Sequence, residues 1–322
     1  MNGAAEVARI FDEMRGDYDE IRDLWYAWLF SRLHGFLADF IAREWEGRPR
    51  DVLDAGCGTG FQSFLYSWCG CQVTGCDVSG ELVAAATGKA GSVRPFEPLF
   101  PEAYRFVARY NRRIAAKLRA TFGSHTPRTP VFAVGDVTRL GFSSASFDHI
   151  NCCGSVLSLV EDHRLAIAEL ARVLRPGGTF LIEVEAKFNC DLVWAVVDAM
   201  IGGRLGYHGS WKEALEPFQS PVNQPVRVDY PFGETDAPVW MPITLFTRAA
   251  LERELSAHGL RATAWRSIHS FTNLIPSTLL DTAPPGTALR ALFLALATVE
   301  EWCPIQPPGA SLLVWGRKVG HA

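Results

Sequence analysis

Asp51-Val-Leu-Asp-Ala-Gly-Cys-Gly-Thr-Gly60 reads as a short buried strand that runs into a glycine turn at Gly56, Gly58 and Gly60. A helix follows: Phe61, Phe64, Leu65 and Trp68 recur at i, i+3, i+4 and i+7, and Gly70 stands where it should stop. Glycines belong here because the chain must turn sharply and let a ligand touch bare backbone at a helix N-terminus. A dinucleotide fingerprint needs G-x-G-x-x-G. In this turn the third glycine comes one residue early and Phe61 takes its place. That spacing counts against an NAD-dependent oxidoreductase.

Working outward, Cys71-Gln-Val-Thr-Gly-Cys-Asp-Val-Ser79 is a second strand ending in Asp77, 17 residues beyond Gly60. Nucleotide-type folds place a carboxylate there because the two hydroxyls of a ribose donate to it. Ser79 caps a helix beginning near Glu81. Val131-Phe-Ala-Val-Gly-Asp136 is a third strand with a second terminal carboxylate, for which a turn aspartate is the plainer reading. Ser146 to Leu157 makes the fourth strand and its exit loop, with Cys152-Cys-Gly-Ser155 at the carboxyl end, where open α/β sheets bind ligands. The helix from about Asp162 to Leu174 stops at Arg175-Pro-Gly-Gly178, ahead of a fifth strand, Thr179 to Glu185.

These segments together resemble the class I S-adenosylmethionine (SAM) dependent methyltransferases of the small-molecule type. Asp54-Ala-Gly-Cys-Gly-Thr-Gly60 is similar to their motif I, and L-R-P-G-G before a fifth strand is a frequent feature of theirs. Cys152-Cys-Gly-Ser155 resembles the fourth-strand motif of glycine N-methyltransferase-like enzymes. Phe11-Asp-Glu-Met-Arg-Gly-Asp-Tyr-Asp19 has the form F-D-x(5)-Y-D and resembles the N-terminal segment of enzymes such as the quinone C-methyltransferases, where it lies over the SAM site. The bland alternative is a surface helix with Tyr18 exposed. The resemblance covers about residues 50–190, less an insertion.

It implies an α/β fold: a Rossmann-like, seven-stranded, mostly parallel sheet with helices on both faces, an N-terminal helical segment and lid insertions. It implies SAM as cofactor, S-adenosylhomocysteine as product, and no metal. The cofactor-binding set it implies is Asp54, Ala55, Gly56, Cys57, Gly58 and Gly60 of the turn, Asp77 and Val78, Asp136 and Val137, and Cys152 and Cys153. In that set Asp77 binds the ribose, while Asp136 and the Val137 N–H bind the adenine.

The chain of 322 residues is read as one domain. Residues 1–46 form a helical lid, 47–190 the SAM-binding core with an insertion at 89–130, and 191–245 a substrate cap. Residues 246–322 complete the sheet, with strands at about 260–267 and 311–317 and a helical connector at 270–308. Apolar residues from Leu24 to Ile41 recur at helical spacing, a face for the core by default, or for a substrate lid or membrane surface. The insertion carries Arg105, Arg109, Arg112, Arg113, Lys117 and Arg119 along one side, read as a solvated face before an anion site. Residues 186–245 read as loops around one helical piece, Asp191 to Ile201.

The formal net charge of −4 argues against a nucleic-acid partner. No signal-peptide core or membrane-length apolar run is present, so the expectation is a cytoplasmic protein, with room for peripheral membrane contact and an open oligomeric state. Eight cysteines without a secretory signal read as free thiols, and their spacing does not fit zinc. Methyl transfer from a sulfonium needs positioning and exclusion of water, and a base only if the acceptor starts protonated. Tyr18, His208 and His269 are the candidates; His149, early in its strand, reads as packing. The expected function is direct in-line methyl transfer to a small, partly apolar molecule. Thiol or metalloid methylation, suggested by Cys57, Cys152 and Cys153, and a non-catalytic SAM-binding role are the alternatives.

Overall fold

In the computed structural model, which describes residues 3–13, 18–21, 23–97, 104–207, 209–232, 239–280, 286–303 and 307–320, the chain is built on a seven-stranded sheet. Its strands are β1 (Asp51–Ala55), β2 (Gln72–Asp77), β3 (Val131–Val134), β4 (Phe147–Cys152), β5 (Leu174–Glu185), β8 (Leu260–Ile268) and β9 (Ser311–Lys318), in the order β3-β2-β1-β4-β5-β9-β8. β6 (Val226–Phe232) and β7 (Val239–Leu245) pair only with each other. The first five sheet strands run parallel, whereas β9 is antiparallel to both β5 and β8. β1 lies between β2 and β4, so the order reverses there, and the crevice outside the strand ends at such a point is where open sheets take ligands.

Strand alternation sends side chains to two cores. Val52, Val73, Leu181 and Trp315 face one cluster with α2 (Leu24–Glu44), α3 (Phe61–Trp68) and α5 (Arg105–Phe122). Leu53, Ile150, Phe180 and Val314 face the other, with α7 (His163–Val173) and α10 (Arg248–Ala257). Helices thus cover both faces. Between β4 and β5 the pairing jumps from Phe147↔Leu174 to His149↔Thr179, so Arg175–Gly178 loops out as the expected turn. His149 is buried as expected, between Tyr66 Oη at 2.9 Å and Thr179 Oγ1 at 2.8 Å, and burial pushes its pKa down to about 3.

The additions to the sheet pack on one another. Trp25 and Trp28 of α2, Val107 of α5, and Phe293 and Ala297 of α11 (Thr287–Trp302) share one cluster with Phe61. The apolar face of α2 is therefore core. On α5, Arg113 pairs with Glu301 (2.6 Å) and Lys117 with Asp39 (2.5 Å), which ties part of the basic side to neighbouring helices. Such exposed pairs are worth at most about 1 kcal/mol each.

The region 186–245 departs from expectation. α8 (Cys190–Ile201) is the helical piece foreseen there, but α9 (Trp211–Gln219) and the β6–β7 hairpin were read as loop. Pro217 inside α9, Pro231 in β6 and Pro242 in β7 disguised them. Proline is tolerated in a two-stranded ribbon because each strand has an edge that needs no donor. α1 (Gly3–Glu13) packs Ile10 and Phe11 against Leu159 and the hairpin residues Met241, Ile243 and Leu245.

Candidate cofactor and acceptor site

A cavity of about 210 Å³ opens at the order reversal. Four strand exits form its floor in sheet order: Asp136, Val137 and Thr138 after β3, Asp77 and Val78 after β2, Gly56 and Cys57 after β1, and Cys153 and Gly154 after β4. Strands lie about 4.8 Å apart, so this floor suits an elongated ligand of roughly 14 Å. Phe11, Tyr18, Phe30, Phe61, Val156 and Leu159 complete the wall.

The glycine turn has the backbone the sequence called for. Gly56, Gly58 and Gly60 have φ of +76°, +51° and +90°, in the left-handed region that favours glycine. A Cβ on Gly56 would overlap Val156 Cγ2, and one on Gly60 would lie 2.9 Å from the Phe132 ring. One on Gly58 would stand 3.2 Å from the Tyr18 hydroxyl, because that ring lies over the turn. Asp77 fixes the turn from below. Its Oδ2 accepts from Gly58 N–H (2.8 Å) and its Oδ1 from Ser79 N–H (2.9 Å). Burial raises its pKa, offset in part by those two donors. Asp136 Oδ1 accepts from both Thr138 N–H and Thr138 Oγ1 at 2.8 Å, a turn built from its own neighbours, while the residue still faces the cavity.

Other expected contacts lie behind the wall. Asp54 is buried, with Ser63 Oγ donating at 2.5 Å and Asn151 Nδ2 at 2.7 Å, one to each carboxylate oxygen. Burial raises it to about 6. Its place is beneath the turn, bracing β1 against β4. Ala55, Gly58, Gly60 and Cys152 also lie outside the cavity lining, whereas Gly56, Cys57, Asp77, Val78, Asp136, Val137 and Cys153 belong to it.

Of the three candidate bases, His208 lies outside the described residues. His269 is a correction: it is fully buried away from the cavity, stacked on Trp25 with ring centroids 3.5 Å apart, its Nδ1 bonded to Thr272 Oγ1 at 2.8 Å. Burial pushes its pKa down to about 3, so it is a neutral core residue. Tyr18 lines the cavity, but burial and then the charge of Asp77 hold its phenol well above the usual range. It is a hydrogen-bond donor and a poor proton acceptor.

Two further polar residues serve the fold. Lys187 Nζ donates to the Ser220 and Pro221 carbonyls at 3.1 and 2.8 Å. Asn273 Oδ1 accepts from Cys190 N–H (2.6 Å) and Asp191 N–H (3.2 Å), so it caps α8.

Residues 14–17 of the F-D-x(5)-Y-D stretch lie outside the described residues; Phe11 and Tyr18 line the cavity, and Asp12 and Asp19 bond to residues around it. Phe11 and Tyr18 meet edge to face at 6.2 Å. Asp12 accepts from Ser79 Oγ (2.5 Å) and Glu81 N–H (3.2 Å) at the start of α4 (Gly80–Lys89). Asp19 accepts from Thr59 Oγ1 (2.5 Å) and Lys89 Nζ (2.8 Å). The segment is buttoned to both the glycine turn and the helix after β2. Gln62, unnoticed in the sequence, also lines the wall, and its amide meets His34 Nε2 at 3.3 Å.

A carboxylate pair at the end of β5 was missed too, although two acids at i and i+2 in an apolar strand were its signal. Glu183 Oε2 accepts from Gly154 N–H (3.0 Å) and Ser155 N–H (2.6 Å), while Ser155 Oγ donates to Glu185 Oε1 at 2.6 Å. Burial, then the charge of Glu183, raises Glu185 from 4.5 to about 8, with Asp191 acting in the same direction. A raised acid stabilises the fold while protonated. That contribution is whole below about pH 4.5 and is lost as pH climbs through about 8. Glu185→Gln should therefore flatten the fall in stability between pH 5 and 9 by about 1–3 kcal/mol, read by denaturant unfolding at each pH. An unchanged pH profile would refute the assignment.

Cys57, Cys152 and Cys153 are buried, and burial holds all three thiols well above their ordinary range. They serve as small apolar wall and packing groups. Among the described residues, no three or more His, Cys, Asp or Glu are grouped to hold a metal ion.

Comparison with known proteins places this geometry. A family profile described as a methyltransferase domain matches residues 109–182, from inside α5 to β5. A SAM-dependent methyltransferase from Methanosarcina mazei shares the fold, at 17% identity over 85% of this chain and 94% of that one, with a TM-score of 0.50. Over residues 109–182 this chain is similar to a methyltransferase domain, and its fold is that of the SAM-dependent methyltransferases. The left-handed glycine turn with Asp77 beside it offers bare backbone and a carboxylate at one sheet edge. The (4+2) cyclase SpnF shares the fold as well, at 17% identity over 99% of this chain and 97% of that one, with a TM-score of 0.55. No curated protein matches the sequence of this chain.

Proposed function

We propose that this chain is a class I SAM-dependent methyltransferase, with SAM as its cofactor, and that it acts on a small, partly apolar molecule by direct in-line transfer. The observation that carries the reading is the wall facing the cofactor edge. Phe11, Phe30, Phe61, Val156 and Leu159 enclose it beneath the N-terminal helices, with Tyr18, Thr59, Gln62, Glu161 and Asp162 among its polar points. Such a wall suits a compact acceptor.

SAM, when bound, supplies a methyl group on a cationic sulfur; the acceptor–carbon bond forms as the carbon–sulfur bond breaks, with its electron pair left on sulfur. The chain's own residues hold and shield. Asp77 accepts the ribose hydroxyls, Asp136 and the Val137 N–H take the adenine edge, and the glycine turn leaves room for the methionine end. The aromatic rings offer faces to the cation. Residues 1–46 act as the lid and 191–245 as the cap, excluding water from the transfer.

Labelled SAM incubated with the protein and a cell extract tests the reading, because the label should move to material of low molecular mass. Measured SAM binding with no transfer to any acceptor would instead indicate a SAM-binding protein of another kind. That outcome has a structural precedent to watch, since one relative in fold is a cyclase. Label in protein or RNA would remove the small-molecule reading. Replacing Cys57, Cys152 and Cys153 by Ser should leave transfer within a fewfold, and its loss would favour a thiophilic acceptor.

A further inference from the structure

Gln62 is the second residue of α3, directly beyond the glycine turn, and it lines the cavity while only 5% exposed. Its amide has two ends, and the fold uses one of them. Nε2 stands 3.3 Å from His34 Nε2. An amide nitrogen only donates, so that ring nitrogen is the acceptor and carries no proton. Burial works the same way: it pushes the His34 pKa down to about 3, and the ring is neutral.

The ring is boxed in. Phe30 and Phe61, which both line the cavity, lie 6.2 and 6.4 Å from it by ring centroids and 5.7 Å from each other. His34 itself does not line the cavity. It holds one end of the Gln62 amide from behind and so decides which end faces inward.

That end is the carbonyl. Gln62 Oε1 has no hydrogen-bond partner among the described residues and is not sealed in the protein, so it opens on the cavity. A carbonyl buried this deeply is costly to leave without a donor. Its neighbours at this end are already engaged. Thr59 Oγ1 donates to Asp19 at 2.5 Å, and Lys89 Nζ, 5.0 Å from the Phe61 ring, pairs with Asp19 at 2.8 Å. The donor that Gln62 lacks must therefore arrive with a ligand.

We infer that the Gln62 carbonyl, turned inward by His34, selects an acceptor molecule that bears an N–H or O–H beside the atom receiving the methyl group. The inference rests on the methyl-transfer reading above, which puts the adenine at the β3 exit and the methionine end at the glycine turn, beside Gln62. It narrows that reading to an amine, a ring N–H, a phenol or an alcohol on an otherwise apolar frame. An amide oxygen holds such a hydrogen without taking it, so Gln62 orients the acceptor molecule and leaves its proton in place. A buried carbonyl also rejects an analogue without the hydrogen more sharply than an apolar wall rejects a change of size. His34 is a positioning residue.

The full chain, labelled SAM and a dilution series of the low-molecular-mass fraction of a cell extract test it. Gln62→Leu should need about 10- to 100-fold more of the fraction for half-maximal transfer and keep the plateau, because the bond is made equally before and during transfer. Gln62→Glu keeps an oxygen to receive the hydrogen and should stay within about tenfold of the parent. His34→Leu frees the amide to turn and should fall between the two. SAM affinity, read by calorimetric titration, should be the parent's in all three. Equal half-maximal doses for the parent and Gln62→Leu would overturn the inference. So would a matching loss of SAM affinity, which would give the carbonyl to the cofactor's ammonium group. An acceptor with no hydrogen on nitrogen or oxygen, identified by mass from its labelled product, would overturn it too. SAM binding without transfer by the parent would sink the methyl-transfer reading itself, and the inference with it.

Discussion

Gly56→Ala should abolish measurable SAM binding while far-UV circular dichroism stays that of the parent. Two costs meet at this position. Alanine at φ +76° pays the left-handed penalty of about 1–2 kcal/mol. Its methyl would also overlap Val156 Cγ2, and overpacking of that kind costs typically about 1–3 kcal/mol. Val156 has little freedom to retreat, since Ser155 before it donates its N–H to Glu183 at 2.6 Å and its hydroxyl to Glu185. The strain is relieved most directly by moving the turn, and the turn is the cofactor's floor. Calorimetric titration with SAM reads the effect. Val156→Ala alone should keep binding, and the double variant should recover part of it because only the left-handed penalty remains. Parental affinity in Gly56→Ala would mean that the turn does not shape the site.

Asp77→Ala should weaken SAM binding by about 1–3 kcal/mol, a factor of roughly 5–150. The carboxylate stands at two jobs. It is the acceptor proposed for the ribose, and it already receives Gly58 N–H and Ser79 N–H, so its removal leaves donors unpaired as well. Asp77→Asn separates the two, because the amide oxygen can keep one backbone donor while the charge is gone. Its loss should fall between parent and alanine variant. Affinity unchanged in both variants would remove Asp77 from the site.

Much of the frame was legible because it is written locally. Strand, glycine turn and helix follow one another from Asp51 to Trp68, and the seven strands carry apolar runs bounded by Gly, Pro or polar residues. Asp77 follows from spacing alone. The misreadings share one cause, partners that are distant in sequence. Asp54 looked like a ligand contact because it precedes the turn, yet its second oxygen belongs to Asn151 across the sheet. His269 ends a strand, as site residues do, but Trp25 from the far end of the chain lies flat on it. Proline hid the hairpin because in a ribbon of two strands its missing donor costs nothing. Asp12 and Asp19 were seen only as parts of a pattern, and their partners Ser79, Thr59 and Lys89 could not be read from it.

The buried carboxylate of Glu300 divides the covering of the site into two parts of unequal strength. It accepts from Trp28 Nε1 (3.1 Å), His269 N–H (3.2 Å) and Phe271 N–H (3.1 Å), and stands 3.9 Å from the Arg32 guanidinium. Breaking a buried pair of this sort costs about 3–5 kcal/mol. α1 is held to α4 by Asp12, whose bonds are only partly shielded and cost about 1 kcal/mol each to break, and to the β6–β7 hairpin by Ile10, its one buried residue, where α2 buries fourteen. The cheaper way for a spent cofactor to leave is therefore to unclip one short helix, with α2 standing still as the doorpost. Turnover would then be paced by the detachment of eleven residues, and the rest of the enclosure would keep its shape from one cycle to the next.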